Sequence, residues 1–361
     1  MSRNTAGTAA KTTQKTALVA GATGASAKRL VETLTQQGWR VIGISRHPPA
    51  ATPRVHYAAA DLHDANQCRD ALAPHAGITH LFYTARAKHG ESGVESVEEN
   101  VAMLRHVVEA AEQASPVLEH VHLVEGTKWY GMHIGPFKTP AREDDARHMP
   151  PNFYYDQQDF LTERQTGTPW GWSASRPGFL CDFAPERPRN IVSVLGAYGA
   201  ICRELDVAFD YPGSPASFAS LCEVTSSPLL ARAMVYLATA PQAANQAFNV
   251  TNGDVFRWQH LWPQLAAHFG VRCGEPRALK LGIWMADKAP IWQRIVARHG
   301  LVPSKLADVA VWEFADFVFG QDHDVMSSVT KIRQAGFHET IDTQQMLLDM
   351  LGQYRRAKIL P

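Results

Sequence analysis

Residues 152–164 read NFYYDQQDFLTER and set two adjacent phenols among carboxylates. On a helix Tyr155, Asp159 and Glu163 stand at i, i+4 and i+8, so they share one face. A phenol held over a reacting carbonyl can donate a hydrogen bond or a proton, and Tyr155 is the first candidate for that work, with Tyr154 close behind. The pair alone decides nothing, because Phe153, Tyr154 and Phe160 would also serve as core aromatics of an ordinary helix. A free phenol titrates near 10 and is a poor acid–base group at neutral pH. A neighbouring ammonium would favour the phenolate.

Such a pair needs a scaffold, and the first half of the chain reads as one. Residues 16–21, TALVAG, form a short apolar run ending in glycine, as a buried parallel strand does. GATGASA follows, and then Leu30, Val31 and Leu34 at helical spacing up to Gly38. A glycine-rich turn between a strand and a helix suits a dinucleotide. Gly21 gives the tight turn, Gly24 lets a pyrophosphate approach the main chain, and Ala27 allows close helix–strand packing. Thr23 and Ala25 lie in the same turn. A second strand, residues 40–45, ends in Ser45-Arg46 with no carboxylate to hold ribose hydroxyls. A guanidinium there suits a ribose 2′-phosphate, so NADPH/NADP+ is the expected cofactor, unless Arg46 is only a solvated surface residue. Asp61 and Leu62 after a third strand would border the adenine. Thr84 and Ala85 end a fourth strand, and a helix over about 94–113 follows. Asn100 near its start points at the cofactor or caps the helix. Residues 118–124 give a fifth strand, in which His120 and His122 face solvent or a satisfied core site. The repeated strand–helix order predicts a Rossmann-type doubly wound parallel sheet, class α/β, with its ligand at the carboxyl ends of the strands.

Composition narrows the rest. The 361 residues suggest two domains, or one with an elaborated cap. Lys+Arg and Asp+Glu are both 35, which gives no reason to expect nucleic acid or an anionic membrane as partner. Five cysteines stand far apart with no metal-ligand spacing, so a reduced cytoplasmic chain without a metal is expected. The first fifteen residues are Ser/Thr/Ala-rich without acid. They have the flavour of a transit peptide but no clear amphipathic pattern, and a disordered tail is the preferred reading.

To this point the chain resembles an extended short-chain dehydrogenase/reductase, with two departures. That superfamily usually shows a serine pair after the fifth strand and Tyr-x-x-x-Lys on the helix. Here Glu125 and Gly126 stand for the serines, and Tyr155 is followed at +4 by Asp159. Both departures are similar to those of the progesterone 5β-reductase/iridoid synthase family, which takes its lysine from Gly-x-Lys-x-Tyr and its tyrosine from Asn-Phe-Tyr-Tyr-Asp-x-x-Asp. Gly126–Tyr130 and Asn152–Asp159 carry that resemblance, with Arg176-Pro177-Gly178, Trp312-x-Phe314-x-Asp316, Ser328-x-x-Lys331, Gly336-Phe337 and the Lys-Ile-Leu-Pro ending. The resemblance implies NADPH-dependent 1,4-reduction of an activated C=C in a small enone or enal. Tyr155 (or Tyr154) would hold the enolate, Lys128 of the Gly126–Tyr130 segment would lower the phenol's pKa, and Gly126 and Pro177 would lie beside the cofactor. It also implies a substrate pocket near Arg86, Trp129, Phe137, Phe179 and Phe314. Arg86 and Phe179 stand where the plant members usually have tryptophan and asparagine, so steroid or iridoid substrates do not carry over, and Arg86 could hold an anionic or polar group.

The later chain is less patterned. Residues 179–190 read as a Pro-rich loop over the site. Helices are expected over 191–205, where Tyr198 lines a pocket or simply packs, and over 224–238, 258–269, 279–299 and 309–319. A strand and turn fall at 247–254. The expected division is a tail over 1–15 and a nucleotide-binding domain over 16–180, completed by about 220–255. A mostly helical cap would come from 181–219 and 256–361. A monomer or homodimer is expected. Two other functions fit parts of the pattern: an extended-type carbonyl reductase or sugar-nucleotide epimerase/dehydratase, and a non-catalytic NADP sensor. The missing serine counts against the first, the retained lysine and tyrosine against the second.

Overall fold

The computed structural model describes residues 14–88 and 95–361. Most of the expected tail and Val94, where the long helix was expected to begin, lie outside them. The chain runs β1 (Thr16–Ala20), α1 (Ala25–Gln36), β2 (Arg40–Ser45), β3 (Val55–Ala59), α2 (Ala65–Leu72), β4 (His80–Tyr83), α3 (Val97–Ala114), β5 (His120–Val124), α4 (Phe153–Gln165), β6 (Gly171–Pro177), β7 (Phe179–Cys181), α5 (Ile191–Glu204), β8 (Phe209–Tyr211), α6 (Pro215–Ala219), β9 (Leu221–Cys222), β10 (Val224–Ser226), α7 (Ser227–Thr239) and β11 (Gln246–Val250). Then follow β12 (Phe256–Arg257), α8 (Trp258–Phe269), β13 (Cys273–Pro276), α9 (Leu281–Trp284), α10 (Ala289–His299), α11 (Leu306–Val309), α12 (Trp312–Phe319), α13 (Thr330–Gln334) and α14 (Thr343–Arg356).

Seven parallel strands form one sheet in the order β11-β6-β5-β4-β1-β2-β3, with the crossover beside β1 that a doubly wound fold requires. The strands are apolar on both faces because both faces are covered. In β1, Leu18 and Ala20 join the core under α2, α3 and α4, while Ala17 and Val19 join the core under α1 and α7. This is the period-two alternation of a strand. The third apolar core is built by α5, α8–α12 and α14 around Trp262 and Trp292, and it forms the helical cap.

Three sequence expectations change. Val224–Ser226 is a strand, not the start of a helix, because it pairs in parallel with β7 inside the stretch expected to be loop. The helix expected over 279–299 is two, α9 and α10, and Pro290 opens the second. Asn100 neither caps α3 nor lines the nucleotide cleft. Ser96 accepts from the Glu99 N–H as the cap. Asn100 is fully buried and braces the segment after β4, accepting from the Ala87 N–H at 2.9 Å.

The segments that carry the C-terminal resemblance tie the cap down. Asp316 on α12 accepts from the N–H groups of Leu281 and Gly282 at the start of α9. Lys331 on α13 donates to the Ala247 carbonyl of the sheet at 2.9 Å. Glu223 accepts from the Ser327 N–H and hydroxyl at 2.7 and 2.6 Å. Burial pushes the Glu223 carboxyl up to about 7 against those bonds. The folded state therefore binds this proton more tightly than the unfolded chain, whose glutamate titrates near 4.3, so stability falls as pH rises through that window. The stability difference between wild type and Glu223→Gln, followed by urea unfolding from pH 4.5 to 8, should move against wild type as pH rises. A flat difference would show that Glu223 ionises normally.

Candidate active site

At the carboxyl edge of the sheet two cavities share Thr84, Ala85 and Arg86 in their walls. One, of about 380 Å³, follows the turn between β1 and α1. Gly21 adopts φ +77°, and a Cβ there would meet Ala85 at 3.0 Å, so glycine is required twice over. Thr23 and Gly24 line the same wall, and α1 presents its amino end there. Ala25 and Ala27 do not line the cleft. Ala25 opens α1, and Ala27 is buried against the sheet as the packing argument required.

Farther along the cleft stand Ser45, Arg46, Asp61 and Leu62. The Ser45 hydroxyl is buried without a hydrogen-bond partner among the described residues. An orphaned hydroxyl beside a guanidinium at the end of β2 fits the ribose end of a dinucleotide. Sequence reasoning missed Arg187 in this wall. It comes from the stretch after β7 and donates to the Thr23 carbonyl. That stretch is strapped to α1 by Arg29–Asp182 at 2.8 Å and Lys28–Glu186 at 3.0 Å.

The second cavity, of about 350 Å³, lies over β5, β6 and the start of α4. Gly126, Lys128, Tyr154 and Pro177 line it together, with Phe179 and Phe314 opposite. Lys128 lies in a 3₁₀ turn, Thr127–Tyr130, that directly follows β5. Asn152 ties that turn to the helix, because its side chain accepts from the Tyr154 N–H as the cap of α4 and donates to the Lys128 carbonyl at 2.9 Å.

The two tyrosines part company at this point. The Tyr155 hydroxyl donates to the Trp129 carbonyl at 2.6 Å and accepts from the His148 N–H at 2.9 Å, and the residue is buried in a small aromatic cluster. Its ring does not line the cavity; the Tyr154 ring does. A Cβ on Gly126 would lie 3.4 Å from the Tyr154 hydroxyl, so the glycine leaves that hydroxyl room. Asp159 is on the outside of α4, paired with Arg147.

The electrostatics also depart from expectation. Lys128 donates to Glu95 at 2.8 Å, and Arg86 binds the other oxygen of the same carboxylate at 2.8 Å. Burial first, and then the Glu95 charge, push the Tyr154 phenol above its usual range, outweighing the opposing pull of Arg86. A phenol so placed stays protonated. That is the reverse of a phenol driven toward phenolate by its lysine.

Glu125, which lines the cavity, forms a fully buried pair with Arg176 at 2.7 Å. Arg176 also donates to the Tyr130 hydroxyl, the Glu143 carbonyl and Gln158, and its guanidinium lies 3.5 Å over the Trp129 ring. The second Glu125 oxygen is buried with no partner among the described residues. Three expected pocket residues are elsewhere. Trp129 is sealed under Arg176, Phe137 stacks on Tyr130, and Tyr198 is in the cap core with its hydroxyl on the Asp210 carbonyl. The buried His120 and His122 bond to Ser173, the satisfied-core alternative. Glu95 and Arg189 went unread in the sequence because no periodicity marks their segments.

A doubly wound sheet with a glycine turn under its first helix, and a tyrosine and lysine in one cavity at its carboxyl edge, is the arrangement of an oxidoreductase of the short-chain dehydrogenase/reductase superfamily. The chain belongs to the PRISE-like Rossmann-fold family, whose model matches residues 56–361. It is 33% identical to the (S)-8-oxocitronellyl enol synthase of Nepeta racemosa, over 96% of this chain and 94% of that one. It is 34% identical to the 3-oxo-Δ(4,5)-steroid 5β-reductase of Arabidopsis thaliana over the same shares. Among solved structures it is similar to the UDP-glucose 4-epimerase of Thermotoga maritima, at TM-score 0.66 and 13% identity over 94% of this chain and 99% of that one. A short-chain dehydrogenase/reductase of Agrobacterium tumefaciens with bound NAD scores 0.65 at 15% identity, over 95% and 98%. Among the described residues no helix is long and apolar enough to cross a membrane, and no cluster of ligands could hold a metal.

Proposed function

We propose that the chain is an NADPH-dependent reductase that saturates the C=C of small α,β-unsaturated ketones or aldehydes. The observation that carries this reading is the meeting of Tyr154, Lys128 and Gly126 in one cavity that shares a wall with the nucleotide cleft. The cofactor supplies a hydride when bound. Gly21, Thr23 and the amino end of α1 hold its pyrophosphate, and Ser45 and Arg46 its adenine ribose. Tyr154 stands as a neutral phenol and donates a hydrogen bond to the carbonyl oxygen, a bond that strengthens as that oxygen gains enolate charge. Lys128 adds positive charge beside that oxygen, and Glu95 fixes where the ammonium stands. Phe179, Phe314 and Phe317 keep the carbonyl's surroundings dry.

The preference for NADPH rests on Arg46 and the absence of a carboxylate at the end of β2. Arg46→Ala should weaken NADPH about 10- to 100-fold, the worth of one charged hydrogen bond, and leave NADH nearly unaffected. Nucleotide titration by fluorescence checks this, and an equal loss for both would remove the 2′-phosphate argument.

The reaction is tested by incubating the protein with NADPH and 2-cyclohexen-1-one, methyl vinyl ketone, progesterone or 8-oxogeranial, and identifying the products. A saturated carbonyl supports conjugate reduction. An allylic alcohol would replace it with carbonyl reduction.

A further inference from the structure

The cavity has an aromatic wall and a charged mouth. Phe179, Phe314 and Phe317 make its apolar wall, while Arg86 and Arg189 are exposed at its opening. Two carboxylates are in reach among the described residues. Glu125 lines the cavity but its charge is paired with the buried Arg176, and Glu95 already binds both Arg86 and Lys128. Arg189 has no ion pair among the described residues. Its guanidinium lies 4.7 Å over the centre of the Phe314 ring, where the apolar wall meets the opening. Burial first, and then Arg86, hold that guanidinium below its usual range, and Glu95 offsets this only in part. Among the described residues the site therefore carries more positive than negative charge, and Arg189 is the cation there that no carboxylate pairs.

We infer that the natural substrate carries an anionic group, a carboxylate by preference, at the end remote from its enone. The apolar body would lie along Phe314 and Phe317 with the reacting carbonyl at Tyr154, and the anion would reach Arg189, because Arg86 is already held by Glu95. A carboxylate on a guanidinium forms paired, geometrically fixed hydrogen bonds, and placing one beside Arg189 also relieves its repulsion with Arg86. The inference deepens the proposed function and takes its probe from that reading, but its measurement does not depend on turnover.

The test uses the whole protein saturated with NADP+, so that no reduction competes. Binding of a 2-cyclohexen-1-one carrying a carboxymethyl group is compared by calorimetry with binding of its methyl ester. The acid should bind about five- to tenfold more tightly, the scale of an ion pair at a partly exposed site. The preference should shrink as salt is raised from 0.05 to 0.5 M, because exposed charges are screened. It should also fall to near parity in R189Q. Equal binding of acid and ester, a preference that salt and R189Q leave unchanged, or a parallel loss of NADPH affinity in R189Q would each overturn the inference. If the acid binds preferentially but NADPH is not oxidised, the anion site stands and the enone-reductase reading falls.

Discussion

Tyr154→Phe should lower kcat for enone reduction by roughly 10²- to 10³-fold, with NADPH affinity and thermal stability close to wild type, because it removes one hydrogen-bond donor aimed at a developing oxyanion. Tyr155→Phe should do the opposite. Its hydroxyl is committed to the Trp129 carbonyl and the His148 N–H, so its loss costs about 1 kcal/mol of stability and little turnover. Single-turnover kinetics and thermal melts on the two variants separate these roles. Equal loss of kcat in a well-folded Tyr155→Phe would return the catalytic role to Tyr155. Lys128→Met belongs in the same series. It leaves Glu95 beside the reacting oxygen without its lysine, so it should cost turnover more than it costs NADPH binding.

The second large effect concerns folding. Arg176→Met strands the Glu125 carboxylate in a fully buried site and removes four hydrogen bonds from the guanidinium. Breaking one side of a buried ion pair costs roughly 3–5 kcal/mol, whereas replacing both partners by apolar residues of similar volume is often close to neutral. Arg176→Met is therefore expected to bring the urea midpoint down steeply, and Arg176→Met with Glu125→Leu to recover most of the loss. A double variant no better than the single would mean that the other contacts of Arg176, and not its charge, hold this region together.

The scaffold was legible because buried parallel strands read as short apolar runs, and β1 is buried at all five positions. The glycine turn was legible for a steric reason that the +77° φ of Gly21 bears out. The lysine and tyrosine segments stood out by resemblance. Choosing between the tyrosines did not follow from sequence. Two neighbours on a helix point about 100° apart, and which one opens on the cavity depends on what packs behind the other. Here that is a carbonyl from the 3₁₀ turn and an N–H from residue 148, neither marked by any spacing. The same holds for Glu95, whose partners Arg86 and Lys128 come from separate loops. Strands β7 and β10 escaped notice because three residues are too few to show an alternation.

Asn152 gives the lysine's turn and the tyrosine's helix a common fastening. The half of the cavity that would do chemistry is thus one stiff unit, backed by Arg176 and built from the sheet. The half that would choose the substrate comes from the stretch after β7, which ion pairs strap to α1, and from α12 in the cap. Descendants of such a chain can change what they accept by altering Arg189, Phe314 or Phe317 while inheriting the reaction unchanged. A laboratory search for new substrates would find its variation at those three positions and its failures around Asn152.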